Sequence, residues 1–301
     1  MKEQVSRRAP SPIVTVVIPT HGRPAALDDC LGALSAQRLG TDLFDVVVVD
    51  DGGPEPLDGL IDRHRSMLRL TLLRQRRSGP AAARNAGAAS ARGRVLAFTD
   101  DDCIPSAGWL EAMLDALDRS PGSIVGGLTI NALEANPYAE ASQQLLSFLY
   151  AEGARRTGGP PFVASNNLAI SRHDFDAFGG FDDSFRRPGA EDRDFSGRAE
   201  SLGCRLVYER AAVVRHAHSM GMHGFLRQHF DYGRGAFRFH RACVRRGGHP
   251  LRIESPGFYA SMLYNPFRQL PARRAATAAA LIALSQGCTA AGFVVGSLDE
   301  R

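Results

Sequence analysis

Three short runs of aliphatic residues, each stopped by a polar cluster, constrain this chain more than any other feature. Ile13–Ile18 reads IVTVVI and gives way to Pro19, Thr20, His21, Gly22 and Arg23. Phe44–Val49 reads FDVVVV and gives way to Asp50, Asp51, Gly52 and Gly53. Arg94–Phe98 reads RVLAF and is followed by Thr99, Asp100, Asp101 and Asp102. Runs so short and so rich in Val, Ile and Leu predict strands buried on both faces. Helical segments are expected between and after them, at Pro24–Leu39 with Leu27, Leu31 and Leu34 on one face, at Leu57–Leu68, at the alanine-rich Ala81–Ala91 and at Trp109–Leu117. A fourth short strand is expected at Leu70–Leu73. Strands alternating with helices predict a parallel sheet with right-handed crossovers. Parallel strands bring their carboxyl ends to one edge, and ligands bind beyond that edge. The three polar clusters are therefore expected to face one crevice.

The second half follows a different pattern. A strand is expected near Pro160–Ile170, a short helix at Phe175–Phe178 and a helix at Glu191–Ser201, with short strands at Cys204–Tyr208 and Ala212–Arg215. The stretch Leu128–Pro161 reads as loops. Gly224–Arg246 predicts a long amphipathic helix, and Ala275–Leu298 is uncharged up to its last residue. The net charge of +4 is unevenly spread, since Gly221–Arg274 holds ten arginines against Asp231 and Glu254. Such a block is either a solvated surface or a face for a phosphate-rich partner. Five scattered cysteines without a paired motif argue against a disulfide framework and for a reducing, cytoplasmic setting. Met1–Ser11 is polar and lacks the apolar core of a signal peptide.

Several constellations carry chemistry. Three adjacent carboxylates at Asp100–Asp102 repel one another unless a cation holds them, and hard oxygen ligands suit Mg2+ or Mn2+. Asp51 either accepts a ring N–H of a nucleobase or builds an Asp-Gly-Gly turn. Arg84, in Gly79–Gly87, sits where a helix begins and can pair with a diphosphate. Glu191 and Asp192 open a helix, where a carboxylate is either a general base or a favourable first-turn charge. His216 and His218 share a strand face, and one imidazole can complete a metal site.

The strings VVIPTHGRP, VVVVDDGG, GPAAARNAG, LAFTDDDC, ASNNLAISR, GGFDDSF and GAEDRDF occur in this order between Val14 and Arg215. In that order they resemble the family-2 glycosyltransferases. The resemblance implies a GT-A fold, an α/β Rossmann-like nucleotide-diphospho-sugar transferase with a mostly parallel sheet flanked by helices. A GT-A domain over residues 12–220 and an Arg-rich helical extension over 221–301 are expected. The resemblance further implies that Pro19, Thr20 and Arg23 line the nucleotide pocket and that Asp51 contacts the base. Arg84 would approach the diphosphate or base, and Asn166 and Asn167 would sit near the donor sugar. Asp100 and Asp102 match the metal-binding acidic pair, with Asp101 competing for the register. His216 matches a further metal ligand. Asp192, of the pair with Glu191, matches the catalytic base of an inverting transfer. The implied cofactor is Mn2+ or Mg2+ and the implied donor a nucleotide-diphosphate sugar, by family habit UDP-linked. A processive synthase motif is missing, because residues 227–230 read RQHF and the sole tryptophan is Trp109. Single addition is therefore expected, to an acceptor that is a glycan or lipid-linked.

Gly224–Arg246, with phenylalanines among arginines, either lies on a membrane surface or covers the sheet. Ala275–Leu298 is long enough to span a bilayer but diluted by Ala, Gly, Ser, Gln and Thr, so a buried or interfacial helix is expected. Peripheral contact with the inner face of the cell membrane follows. Two competing functions are weighed. A sugar nucleotidyltransferase would show a Lys-containing glycine loop after the first strand, where this chain reads Pro19–Arg23 without Lys. A non-catalytic nucleic-acid or membrane binder with a degenerate fold is disfavoured by the acidic clusters, and no nucleic-acid partner is expected.

Overall fold

The computed structural model describes residues 11–187, 189–247 and 254–299. The N-terminal reading over residues 1–10 and Arg252 of the basic block lie outside them.

The chain runs β1 (Val14–Thr20), α1 (Pro24–Ser35), β2 (Phe44–Asp50), α2 (Asp58–His64), β3 (Leu70–Arg74), α3 (Pro80–Ser90), β4 (Val95–Thr99) and β5 (Cys103–Pro105). It continues through α4 (Trp109–Arg119), β6 (Ser123–Asn131), α5 (Pro137–Thr157), β7 (Asn167–Ser171), α6 (Arg172–Ala177) and α7 (Glu191–Ser201). It ends with β8 (Arg205–His216), α8 (Met222–Arg245), α9 (Pro256–Tyr264), α10 (Pro266–Gln269) and α11 (Ala272–Asp299). The eight strands form one sheet in the order β3-β2-β1-β4-β7-β6-β8-β5. β1 to β4 are parallel, and β1 and β2 are buried along their whole length, as their composition demands. The polar ends of β1, β2 and β4 therefore do share one edge.

The second half makes the sheet mixed. β7 runs antiparallel to both β4 and β6, and β5 runs antiparallel to β8. The two short strands expected at 204–215 are one strand, β8, whose register on β6 jumps from Gly127–Glu209 to Leu128–Val213. Such a bulge bends a strand and increases its twist. The stretch expected to be loops contains the end of β6 and the 21-residue helix α5. Its apolar residues lie on a weakly defined face, so periodicity did not mark it. Asn136 caps it by accepting from the amides of Tyr138 and Ala139.

The main core lies between the sheet and α1, α2 and α4, with Trp109, Phe44 and Leu31 fully buried. A second, phenylalanine-rich core lies on the opposite face around Phe98, Phe175, Phe181 and Phe195. A third cluster joins α5 to the C-terminal helices through Phe148, Phe225, Met262 and Ile282. Among the described residues, α11 is the one helix long and apolar enough by length and composition to cross a membrane. One side of it packs tightly on α8. A Cβ on Gly233 would lie 2.0 Å from the Thr289 carbonyl oxygen, and one on Gly292 2.0 Å from that of Phe230. Glycine is required at both places because backbone meets backbone. The arginine block is partly spent inside this layer. Arg234 pairs with Asp299, Arg246 with Asp194 and Arg274 with Glu140.

Candidate active site

A cavity of about 750 Å³ opens at the carboxyl edge of the parallel strands. Pro19, Thr20, Arg23, Asp51, Arg84, Asp100, Asn166, Glu191, Asp192 and His216 all line it. Residues far apart in sequence thus meet at one place, but their side chains do different jobs.

Asp51 anchors a loop. Its Oδ1 accepts from the Ser78 amide and the Gln75 amide side chain, each at 2.7 Å, and its Oδ2 from the Gly79 amide at 2.9 Å. Gly79 has φ of 97°, and a Cβ there would sit 2.4 Å from the Arg186 carbonyl oxygen, so only glycine fits. Asp50 builds the turn, accepting from the Gly53 amide at 2.7 Å. Asp50 thus builds the turn considered for this cluster, and Asp51 faces the cavity while it holds its loop.

The three aspartates after β4 separate by function. Asp101 is fully buried and accepts from Thr20 Oγ1 at 2.7 Å and from Arg23 Nε at 3.2 Å. Burial pushes its carboxyl up to about 6, against the pull of Arg23 and Thr20. Asp100 turns the other way, with Oδ1 2.6 Å from Arg84 Nη2. Asp102 faces His216 and His218. Its Oδ1 lies 3.2 Å from His216 Nε2 and its Oδ2 2.9 Å from His218 Nδ1. Burial alone would raise the Asp102 carboxyl, but the two imidazoles and Arg23 hold it well below the ordinary range. His216 is raised in turn, because Asp102 outweighs the effect of burial.

β5 explains why positions 102 and 216 meet. It pairs with β8 in a register that sets Cys103 opposite His216, and the Ala217 amide donates to the Asp102 carbonyl at 2.8 Å. One potential ligand atom each from Asp102, His216 and His218 lies within 4.8 Å of the others. Asp102 Oδ1 is buried and accepts no hydrogen bond from the described residues. A carboxylate with a spare lone pair beside two imidazoles fits a divalent cation. Asp100, also expected as a metal ligand, lines the cavity but lies outside this group, with its carboxylate paired to Arg84. His218 is the ligand candidate that was not singled out, although the His-Ala-His spacing announced it.

Arg84 is buried and spends both η nitrogens within the fold, on Asp100 and, at 3.2 Å, on Glu191 Oε1. It ties α3, the end of β4 and the start of α7 together rather than standing free for a diphosphate. The exposed Arg77 and Arg186 line the same cavity and were not foreseen, since neither sits in a distinctive motif. Asn167 also departs from expectation. It is 1% exposed, accepts from Trp109 Nε1 at 2.8 Å and donates to the Ala212 carbonyl at 3.1 Å. It belongs to the core beneath the sheet, because adjacent residues entering a strand point to opposite faces. Asn166 alone of the pair lines the cavity.

At the start of α7 the two acidic neighbours diverge. Glu191 accepts from Arg84 and, at 2.7 Å, from the Gly189 amide. Among the described residues Asp192 accepts from the amide of Arg193 alone, at 2.8 Å, and it faces the cavity. Burial, and then the charge of Glu191, push its carboxyl up to about 6. Ala190, just before them, has φ of 72° and is the one non-glycine residue with positive φ among those described. Left-handed backbone costs about 1 kcal/mol or more in such a residue, and such strain collects at functional sites.

Residues 15–179 match the family model of Glycosyl transferase family 2. Validoxylamine A glucosyltransferase of Streptomyces hygroscopicus subsp. jinggangensis is 29% identical over 227 residues, covering 66% of this chain and 54% of that protein. Pre-mycofactocin glycosyltransferase of Mycobacterium tuberculosis is 30% identical over 233 residues, covering 74% and 46%. The chain thus spans about half the length of these curated relatives. Among solved structures, the mannosyltransferase PcManGT from Pyrobaculum calidifontis, in complex with GDP-Man and Mn2+, aligns over 96% of this chain and 80% of its own, with a TM-score of 0.61 at 20% identity. S. aureus TarS 1-349 aligns over 96% and 91%, with a TM-score of 0.54 at 15% identity.

Proposed function

Since the chain belongs to glycosyl transferase family 2 and has the GT-A fold, we propose that it transfers one sugar from a nucleotide-diphosphate sugar to an acceptor hydroxyl, inverting the anomeric centre. One observation carries this reading. A single cavity joins the nucleotide-side residues, His216 and His218 with Asp102 buried directly behind them, and one carboxylate, Asp192, that forms no ion pair among the described residues.

In this reading Pro19, Thr20, Arg23 and Asp51 receive the nucleoside, UDP being the favoured carrier. Arg77 and Arg186 supply positive charge for the diphosphate. Asp102, His216 and His218 would hold Mn2+ or Mg2+, which when bound neutralises charge on the departing diphosphate. Two imidazoles beside one carboxylate suit Mn2+ better than Mg2+. Asp192 takes the proton of the attacking hydroxyl, and a carboxyl near 6 is poised for that task at neutral pH. Glu191 and Arg84 are positioning residues that fix the backbone beneath it. Residues 12–220 form the catalytic domain and 221–301 its helical cover. The protein works on the cytoplasmic side, in peripheral contact with the membrane through the exposed Leu284, Val294 and Leu298 of α11.

The test is thermal stability with UDP, GDP, dTDP and CMP, with and without Mn2+. One diphosphate is expected to raise the midpoint only when metal is present, and Asp102→Ala is expected to remove that response. No response to any nucleotide would overturn the transferase reading.

A further inference from the structure

The cavity extends past Asp192 beneath α5, α8 and α9, where Leu145, Leu149, Phe258 and Met262 form an apolar wall. Met262 is buried and the other three are half-buried. Ser142 on α5 and Gln228 and His229 on α8 also line it. Ser142 Oγ, Gln228 Oε1 and His229 Nε2 are buried without a hydrogen-bond partner among the described residues, and so is Asn166 Oδ1. Among the described residues eight buried side-chain nitrogen or oxygen atoms are in that state, and five of them, these four and Arg84 Nε, belong to residues lining this one cavity. Each such atom costs about 1–3 kcal/mol unless something outside the fold satisfies it. His229 is 2% exposed, and burial lowers its imidazole to about 4, so near neutral pH it is an uncharged ring that donates or accepts according to tautomer.

We propose that this part of the cavity is the acceptor subsite and that it takes an amphiphilic acceptor, a hydroxyl-rich glycoside joined to an apolar aglycone. Hydroxyls of the glycoside pair with Ser142, Gln228, His229 and Asn166, and the aglycone lies against Leu145, Leu149, Phe258 and Met262. The inference rests on the transferase reading, which is what calls for an acceptor. A free sugar would leave the apolar wall wet, and a bare alkyl chain would leave the four polar atoms unpaired. A molecule with both parts satisfies both.

The test is calorimetric titration of the full chain with octyl glucoside, octyl galactoside and octyl mannoside below their micelle concentrations, beside the three free sugars. It is run with and without Mn2+ and the nucleotide diphosphate that stabilises the protein. At least one octyl glycoside is expected to bind about ten-fold or more tightly than its free sugar, because burying about two methylene groups is worth that much. Ser142→Phe, which fills the subsite, is expected to abolish the binding, and His229→Ala to weaken it by about three- to ten-fold. Both variants are expected to keep the nucleotide response, which shows that fold and donor site are intact. Octyl glycosides that bind no tighter than free sugars overturn the inference, as does binding unchanged in Ser142→Phe. Loss of the nucleotide response in the unaltered chain strikes at the transferase reading instead, and the titration without nucleotide still decides the amphiphile site.

Discussion

The sheet edge and the helical cover meet in the same cavity but are built on opposite plans. At the edge nearly every charge is matched within the protein. Asp51 holds three donors, Asp100 and Glu191 share Arg84, and Asp101 holds Thr20 and Arg23. Under the cover the wall is apolar, and Ser142, Gln228 and His229 carry buried atoms without partners among the described residues. Groups already fixed by hydrogen bonds keep their geometry through a reaction, which favours electrostatic stabilisation of a charged donor. Unpartnered groups on an apolar wall instead leave their partners to the ligand. In the proposed reading the difference divides the work, with charge met at the edge and hydroxyl pattern and apolar shape met under the cover.

The sharpest way to break this comparison is to remove the charge at the centre of the edge. Arg84→Ala leaves Asp100 and Glu191 facing each other without their cation. Breaking a buried pair in this way is expected to cost about 3–5 kcal/mol, read as a fall in the urea midpoint. A loss below about 1 kcal/mol would show that the network is not what holds α3, β4 and α7 together. Next in size is Asp192→Asn, which is expected to lower turnover by about two orders of magnitude while nucleotide binding stays unchanged. Activity of the unaltered protein is expected to fall about ten-fold per pH unit below about 6, because the raised carboxyl must lose its proton to serve as base and is protonated below that point. A flat profile between pH 5 and 7, the range around that value, would assign the proton transfer elsewhere. The smallest effect separates two neighbours. Asn167→Ala is expected to cost about 1–3 kcal/mol of stability by orphaning the Trp109 indole N–H, with nucleotide affinity unaltered. Asn166→Ala is expected to leave stability and nucleotide affinity unaltered and to weaken octyl glycoside binding by about three- to ten-fold.

Much of the edge was legible in the sequence because its signals are local. A run such as FDVVVV can only be a buried strand, and the residues that follow a parallel strand must lie at the ligand-binding edge. The cover was less legible. α5 was read as loop because its apolar positions are scattered, and β5 has only three residues, too few to show a period. Yet β5 delivers His216 to Asp102. The fates of paired neighbours were also hidden. Asp100 and Asp102, Glu191 and Asp192, Asn166 and Asn167 are chemically alike and adjacent, and which one is free depends on Arg84, His218 and Trp109, tens of residues away.

The sequence by itself thus determined the α/β layering, the shared edge and the inventory of carboxylates and imidazoles, because strand burial and alternation are set by side chains within a few positions of one another. Only the tertiary structure decided which aspartate faces the two imidazoles, which carboxylate at the start of α7 stays without an ion pair, and that four polar atoms find no partner among the described residues beside an apolar wall. Those outcomes depend on hydrogen bonds and burial contributed by distant segments, and a single carboxylate or amide carries no local mark of the partner that will claim it.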